Sequence, residues 1–297
     1  MLSQSSKNVN LLNFDYLCIF CVSFAENNNM KRFLYVFMMF FVCFLMIYAP
    51  SCVFCKEKSH ARFQPRMSIV IDDFGSYDQS GVETMLSASA PITCAVIPLS
   101  DNTKQNLEQI SKTHHEIILH MPMQSHVNIP RDWYGQTFIS THDSQDEVNK
   151  KFEECLKDFP NIKGFNMHIG SGLSRNKESM KKIYNFANSH NLYFLDSRTI
   201  ETNGVIDACH ETSSIYLGRD EFLEADKNKS YSNVKFRLLE GAKKAIQNGS
   251  SIVIGHVGAE GGEQTAKAII DTLPEIEKMG VEIVPLSTIY EYKKIHG

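Results

Sequence analysis

Residues 68–75 read Ser-Ile-Val-Ile-Asp-Asp-Phe-Gly, an apolar, β-branched run that ends on two adjacent carboxylates and a glycine. Such a run is a buried strand, and the abrupt change to charge marks where it leaves the core. Four other runs end the same way: residues 116–119 lead to His120, 164–167 to His168, 193–195 to Asp196 and 251–255 to His256. The predicted strands are 67–71, 93–97, 116–119, 164–167, 193–195, 214–217, 251–254 and 282–284. Helical spacing occupies 80–87, 102–113, 145–157, 177–189, 232–247 and 262–279, with a last helical turn from Ser287. Ser144 and Glu147 form a capping-box pair before the third of these helices, and Gly280 is a stop signal. Strand and helix in alternation mean a parallel sheet with helices outside it. Without a repeat or internal linker, the pattern favours an α/β fold of seven or eight parallel strands, a closed or nearly closed (β/α) barrel.

In a parallel barrel the carboxyl ends of the strands share one face, where barrel enzymes build their sites. Asp72, Asp73, His120, His168, Asp196 and His256 are all predicted at that face. Each alone has a plain explanation: an Asp at a strand end caps the next helix, and a lone His is a hydrogen-bonded core residue. Their coincidence at equivalent positions points to chemistry. Imidazole with carboxylate is the ligand set of zinc or a similar divalent ion, with a position left for water. A further carboxylate can take the proton of that water, and a free His can protonate a departing amine. Residues 123–143 lack a period and carry Trp133 beside Tyr134. Trp133 either offers a flat face to a sugar ring or pins the loop to the body. Ser171 either donates a hydrogen bond in the site or begins the next helix.

The 297 residues carry 30 basic and 34 acidic side chains, a net charge of -4, and 43% hydrophobic residues. That composition excludes a multi-spanning membrane protein and low-complexity disorder, and the missing basic surplus argues against nucleic acid as a partner. Residues 33–50 are uncharged and follow Lys31 and Arg32. Residues 30–55 therefore read as a signal peptide or an N-terminal membrane anchor, with residues 1–29 a tail or a misassigned start and 56–66 a linker to the domain at 67–297. Either reading sends the domain to the periplasm or cell envelope, possession of the anchor deciding whether it stays membrane-attached. Of eight cysteines, Cys94, Cys155 and Cys209 fall in the body, which is no disulfide framework.

The strings IVIDDFG, AVIPLSDNT, HEIILHMPMQ, GFNMHIGS, YFLDSRT, IVIGH and GVEIVPLS, in that order, resemble the divergent branch of the polysaccharide deacetylases. The resemblance runs from about Met67 to Tyr292. It implies a deformed (β/α) barrel of the NodB-like type, a divalent metal, most suitably Zn2+, and removal of acetyl groups from N-acetylated glycans by an exported protein. Matched motif by motif, it implies Asp72 as general base, Asp73 and His120 as metal ligands and His256 as general acid. The second His of the family's His-x-x-x-His motif is replaced by Gln124, so His168 is inferred as the third ligand, with His126 a weaker substitute. Asp196 with Arg198 is expected to orient a His or the base. The missing His also allows an alternative, a non-catalytic glycan- or protein-binding module of the same fold. A metal-free glycoside hydrolase would use the carboxylates but give the three histidines no role.

Overall fold

The computed structural model describes residues 37–38, 64–225 and 229–296. The chain divides after Arg62, and the unit from Phe63 onward carries the fold. Its strands are β1 (Arg66–Phe74), β2 (Thr93–Val96), β3 (Glu116–Met123), β4 (Gly164–Ile169), β5 (Tyr193–Asp196), β6 (Leu217–Gly218), β7 (Glu221–Phe222), β8 (Ser250–His256) and β9 (Glu282–Ile283). Between them lie α1 (Val82–Leu86), α2 (Thr103–Ser111), α3 (Gln145–Leu156), α4 (Ser171–Ser174), α5 (Lys177–Ser189), α6 (Gly204–Glu211), α7 (Tyr231–Asn248), α8 (Gly262–Lys278) and α9 (Leu286–His296). The expected capping box at Ser144 is present in both halves, and Gly280 ends its helix with φ 78°. The short α4 and α6 are absent from the sequence reading; α4, at four residues, is about one turn and displays no 3.6-residue period.

Every strand pairing is parallel, in the order β6-β5-β4-β3-β2-β1-β8-β7, with β9 beside the start of β1. The two outermost strands, β6 and β7, are separated by only Arg219 and Asp220. The Arg219 N–H donates to the Asp196 carbonyl of β5, and the next one, from Asp220, donates to the Ile252 carbonyl of β8. One extended segment thus joins both edges of the curled sheet, which gives the expected deformed (β/α) barrel. Sequence periodicity predicted a single strand over 214–217 because a seam of two-residue strands leaves no alternation to read.

Side-chain parity sorts the core. Val70, Ala95, Ile118, Tyr193, Leu195, Ile252 and Ile254 pack together inside the barrel with Leu286 and Ile289 of α9. Residues of opposite parity, such as Ile69, Ile71 and Val253 or Leu119, Phe165 and Phe194, pack outward in two clusters with the helices. At the amino-terminal end of the barrel, the Leu286 N–H donates to Thr93 Oγ1 and the Ser287 N–H to Glu116 Oε2. These side chains satisfy the free N–H groups at the start of α9. The barrel interior is therefore closed at one end by α9 and apolar in its middle, which leaves its polar layer at the other end.

The expectation of an exported, envelope-located protein held by a hydrophobic segment is corrected here. Among the described residues no helix is long and apolar enough to cross a membrane. The longest, α7 with 18 residues, is amphipathic and carries Lys235, Arg237, Glu240, Lys243 and Lys244. Residues 33–50, on which that expectation rested, lie outside the described residues apart from Phe37 and Met38.

Candidate metal centre

Interior parity carries Val70 to Asp72 on β1, Ile118 to His120 on β3, Asn166 to His168 on β4 and Ile254 to His256 on β8. Register sets His120 directly opposite Asn166, and Asp72 opposite His256. Regular alternation would turn Asp73 away from Asp72. Instead Asp73 takes φ 69°, where the β1–β2 register also slips, and the kink delivers both carboxylates to the same pocket. Among the described residues six non-glycine positions have positive φ, and Asp73, Ile169 and Arg198 are three of them, each at or just past the carboxyl end of a strand. Backbone strain concentrated at one face is a mark of a functional site.

Asp73, His120 and His168 place their donor atoms together. Asp73 Oδ1 lies 3.4 Å from His120 Nε2 and 3.2 Å from His168 Nδ1, and the two nitrogens are 3.1 Å apart. The far nitrogens define the protonation of the near ones. Asn166 Nδ2 donates to Asp72 Oδ1 at 2.7 Å, so the Asn166 oxygen faces His120 and accepts from His120 Nδ1–H at 2.6 Å. His168 Nε2–H donates to the Trp133 carbonyl at 3.1 Å. In the neutral rings the facing nitrogens are then bare lone pairs, and buried Asp73 Oδ1 has no hydrogen-bond partner among the described residues. Three lone-pair atoms held against one another repel unless a cation lies between them. Their separations match the edge of a tetrahedron of zinc ligands, about 3.4 Å for bonds of about 2.0–2.1 Å. The residues fit the ion.

The electrostatics agree with that fit. Burial would raise the Asp73 carboxyl, but His120 and His168, with His256 beyond them, hold it well below the usual carboxylate range. Burial would lower His120, and Asp72 and Asp73 push it up instead. A pocket that stabilises positive charge on the His120 imidazole also favours a bound cation.

His256 stands on the other side of Asp72, its Nε2 3.9 Å from Asp72 Oδ2. Its Nδ1 is 3.1 Å from Glu224 Oε2, while Glu224 Oε1 accepts the His256 N–H at 3.1 Å and the Thr265 hydroxyl at 2.8 Å. Burial works against charge on this ring, yet Glu224, Asp73 and Asp72 together push it up to about 9.

Sequence reasoning missed Asn166, Glu224 and Arg219. Asn166 was visible in GFNMH, two residues before His168 and therefore of the same parity. Glu224 follows the two-residue β7, where nothing periodic flags it. Arg219, in the seam, donates through Nε and Nη2 to the Ser197 and Arg198 carbonyls and covers the Phe222 ring, which stands perpendicular to the His256 ring.

Other expected residues are placed elsewhere. Asp196 has outward parity, and its side chain accepts from the Arg198 N–H at 2.8 Å and the Tyr216 hydroxyl at 2.9 Å. The expectation that Asp196 and Arg198 orient a His or the base has no hydrogen bond behind it among the described residues. Ser171 begins α4 and bonds His126 Nδ1 at 2.7 Å, which holds His126 outside the three-donor cluster. Gln124 accepts from the Thr141 N–H and hydroxyl. Trp133 leaves its side chain 64% exposed, so it does not pin the loop; its contribution to the centre is its carbonyl.

A family model described as divergent polysaccharide deacetylase matches residues 69–290. The uncharacterised protein YibQ of Escherichia coli is 30% identical over 192 residues, which cover 64% of this chain and 58% of YibQ. An uncharacterised protein of Haemophilus influenzae is 26% identical over 193 residues, 65% of this chain and 67% of its own length. The crystal structure of an uncharacterised protein of Agrobacterium tumefaciens shares the fold, with a TM-score of 0.68 at 18% identity over 76% of this chain and 89% of that one. This chain thus spans little more than half the length of its E. coli relative. The family match extends from β1 into α9 and contains every residue of the candidate centre, and the chain belongs to the divergent polysaccharide deacetylase family.

Proposed function

We propose that the protein is a metal-dependent hydrolase that removes acetyl groups from the N-acetylated sugars of a glycan. The observation that carries this reading is the trio of inward lone pairs on Asp73, His120 and His168, at separations of 3.1–3.4 Å. When bound there, a divalent ion, zinc by the chemistry of the donors, would polarise the acetamide carbonyl and make a water more acidic. Asp72, with Oδ1 held by Asn166, keeps Oδ2 free to take a proton from the attacking water. The water oxygen bonds to the carbonyl carbon, the C–N bond breaks, and His256 gives its proton to the departing amine, leaving acetate and a free amino sugar. Trp133, exposed and joined to His168 through its carbonyl, has a flat apolar face suited to a sugar ring.

The lost second His of His-x-x-x-His is what favours a non-catalytic module. It weighs less once His168 supplies a third donor from the next strand. Acetate release from oligomeric N-acetylglucosamine separates the two readings. Zinc-loaded protein is expected to release it, a chelator to stop it and added zinc to restore it; a fully loaded protein that binds the oligomer without releasing acetate would leave the binding module standing.

The acid role of His256 has its own test in pH dependence. His256 must be protonated to act, so with its pKa pushed up to about 9, kcat/KM is expected to hold through neutrality and fall as pH rises through that value. Glu224→Gln removes the largest influence raising it, and the alkaline limb should move down by about one unit or more. An unmoved limb would assign the proton to another group.

A further inference from the structure

We propose that Asn166 is a positioning residue that ties the hold on the cation to the orientation of the general base. The inference rests on the reading of Asp73, His120 and His168 as a divalent-cation site. Asn166 is fully buried on a parallel strand and lies opposite His120 in register. An amide there is costly unless both of its ends are satisfied. Only one orientation does this: Nδ2 donates to Asp72 Oδ1 at 2.7 Å, and Oδ1 accepts from His120 Nδ1–H at 2.6 Å. Because a carboxylate can only accept, a flipped amide would set its oxygen against Asp72 and lose that bond whatever the tautomer of His120.

Each bond has a separate consequence. The acceptor end fixes His120 in the tautomer whose Nε2 lone pair faces Asp73 Oδ1 and His168 Nδ1, and a partner of this kind typically changes metal affinity about 10–100-fold. The donor end occupies Asp72 Oδ1, so that Oδ2, the oxygen nearer His256, is the one left for the water. One side chain therefore serves two neighbours that lie on different strands, His120 at 46 and Asp72 at 94 positions away in sequence. A merely structural Asn would affect both through packing alone.

Two substitutions separate the ends. Asn166→Leu keeps the branched shape and removes both bonds. Asn166→Asp keeps an acceptor for His120 but sets a second carboxylate against Asp72, where a donor had been. Zinc affinity is measured by competition with a chromophoric chelator, the cobalt-substituted site by its visible absorption, and turnover by acetate release at saturating metal. Asn166→Leu is expected to bind zinc about 10–100-fold more weakly. Asn166→Asp should bind zinc at least as tightly as the unaltered protein, with a wild-type-like cobalt spectrum, yet lose at least about tenfold in metal-saturated turnover, within the range of general-base contributions. Equal weakening of zinc binding in both variants, or full turnover in Asn166→Asp, overturns the proposal.

A measurement on the unaltered protein covers the case in which a variant fails to fold. The ring 15N shifts of His120 in the zinc-loaded protein should report a proton on Nδ1 and a bonded Nε2; the opposite tautomer overturns the assignment. If the unaltered protein binds no zinc, the metal-centre reading itself fails. If it binds zinc while Asn166→Asp and Asn166→Leu behave alike, only the role of Asn166 falls.

Discussion

Asp72→Asn is expected to retain the bound ion and to lose turnover by about 10²–10⁴-fold, the range a general base contributes. The substitution is nearly isosteric in a buried position, so packing is conserved. Its new amide can turn its oxygen toward Asn166 Nδ2, which now donates to Asp72 Oδ1 at 2.7 Å, and its NH2 toward His256. What disappears is the basic oxygen, since an amide cannot accept the proton of water at neutral pH. The ligand atom on Asp73 is untouched, because the φ of 69° at Asp73 gives the two carboxylates separate places in the pocket. Asp73→Asn should show the reverse order of effects, losing zinc first and activity as a result. Metal stoichiometry by elemental analysis, set beside kcat at saturating zinc, distinguishes them. Equal loss of metal in both variants would mean that the adjacent aspartates do not divide the work as base and ligand.

The sheet was legible because each buried strand is a short apolar run and most of them change to His or Asp where they leave the core. His168 was within reach for the same reason, even though the His-x-x-x-His motif is broken by Gln124. Parity would have gone further: Tyr193 and Leu195 face the interior, which turns Asp196 outward, and Asn166 shares the face of His168. The kink at Asp73 was beyond reading, since alternation along β1 puts consecutive residues on opposite faces and only a left-handed backbone angle overrides it. Glu224 was hidden by the seam, where two-residue strands are fixed by hydrogen bonds to β5 and β8 across the barrel. Such pairing depends on closure of the whole sheet, and no local pattern encodes it.

His120→Ala is expected to abolish stable zinc binding and, with it, acetate release. His120 supplies one of the three donors, with Nε2 3.4 Å from Asp73 Oδ1 and 3.1 Å from His168 Nδ1. Its removal leaves two protein ligands, fewer than the three that a catalytic zinc site ordinarily has. It also strands the Asn166 oxygen, which loses its only donor from the ring, so the site is weakened in its support as well as in its ligand count. His168→Ala should have the same result. His126→Ala should not, because His126 is engaged by Ser171 outside the cluster, and this contrast decides which histidine replaces the one lost from the motif. Thermal unfolding gives a readout independent of turnover: zinc at about 100 times its Kd stabilises the folded state by about 2.7 kcal/mol. The unaltered protein and His126→Ala should show the resulting rise in Tm, and His120→Ala and His168→Ala should not. A His120→Ala protein that keeps stoichiometric zinc and the same rise would place the ion on other residues and remove the chemical basis for deacetylation at this face of the barrel.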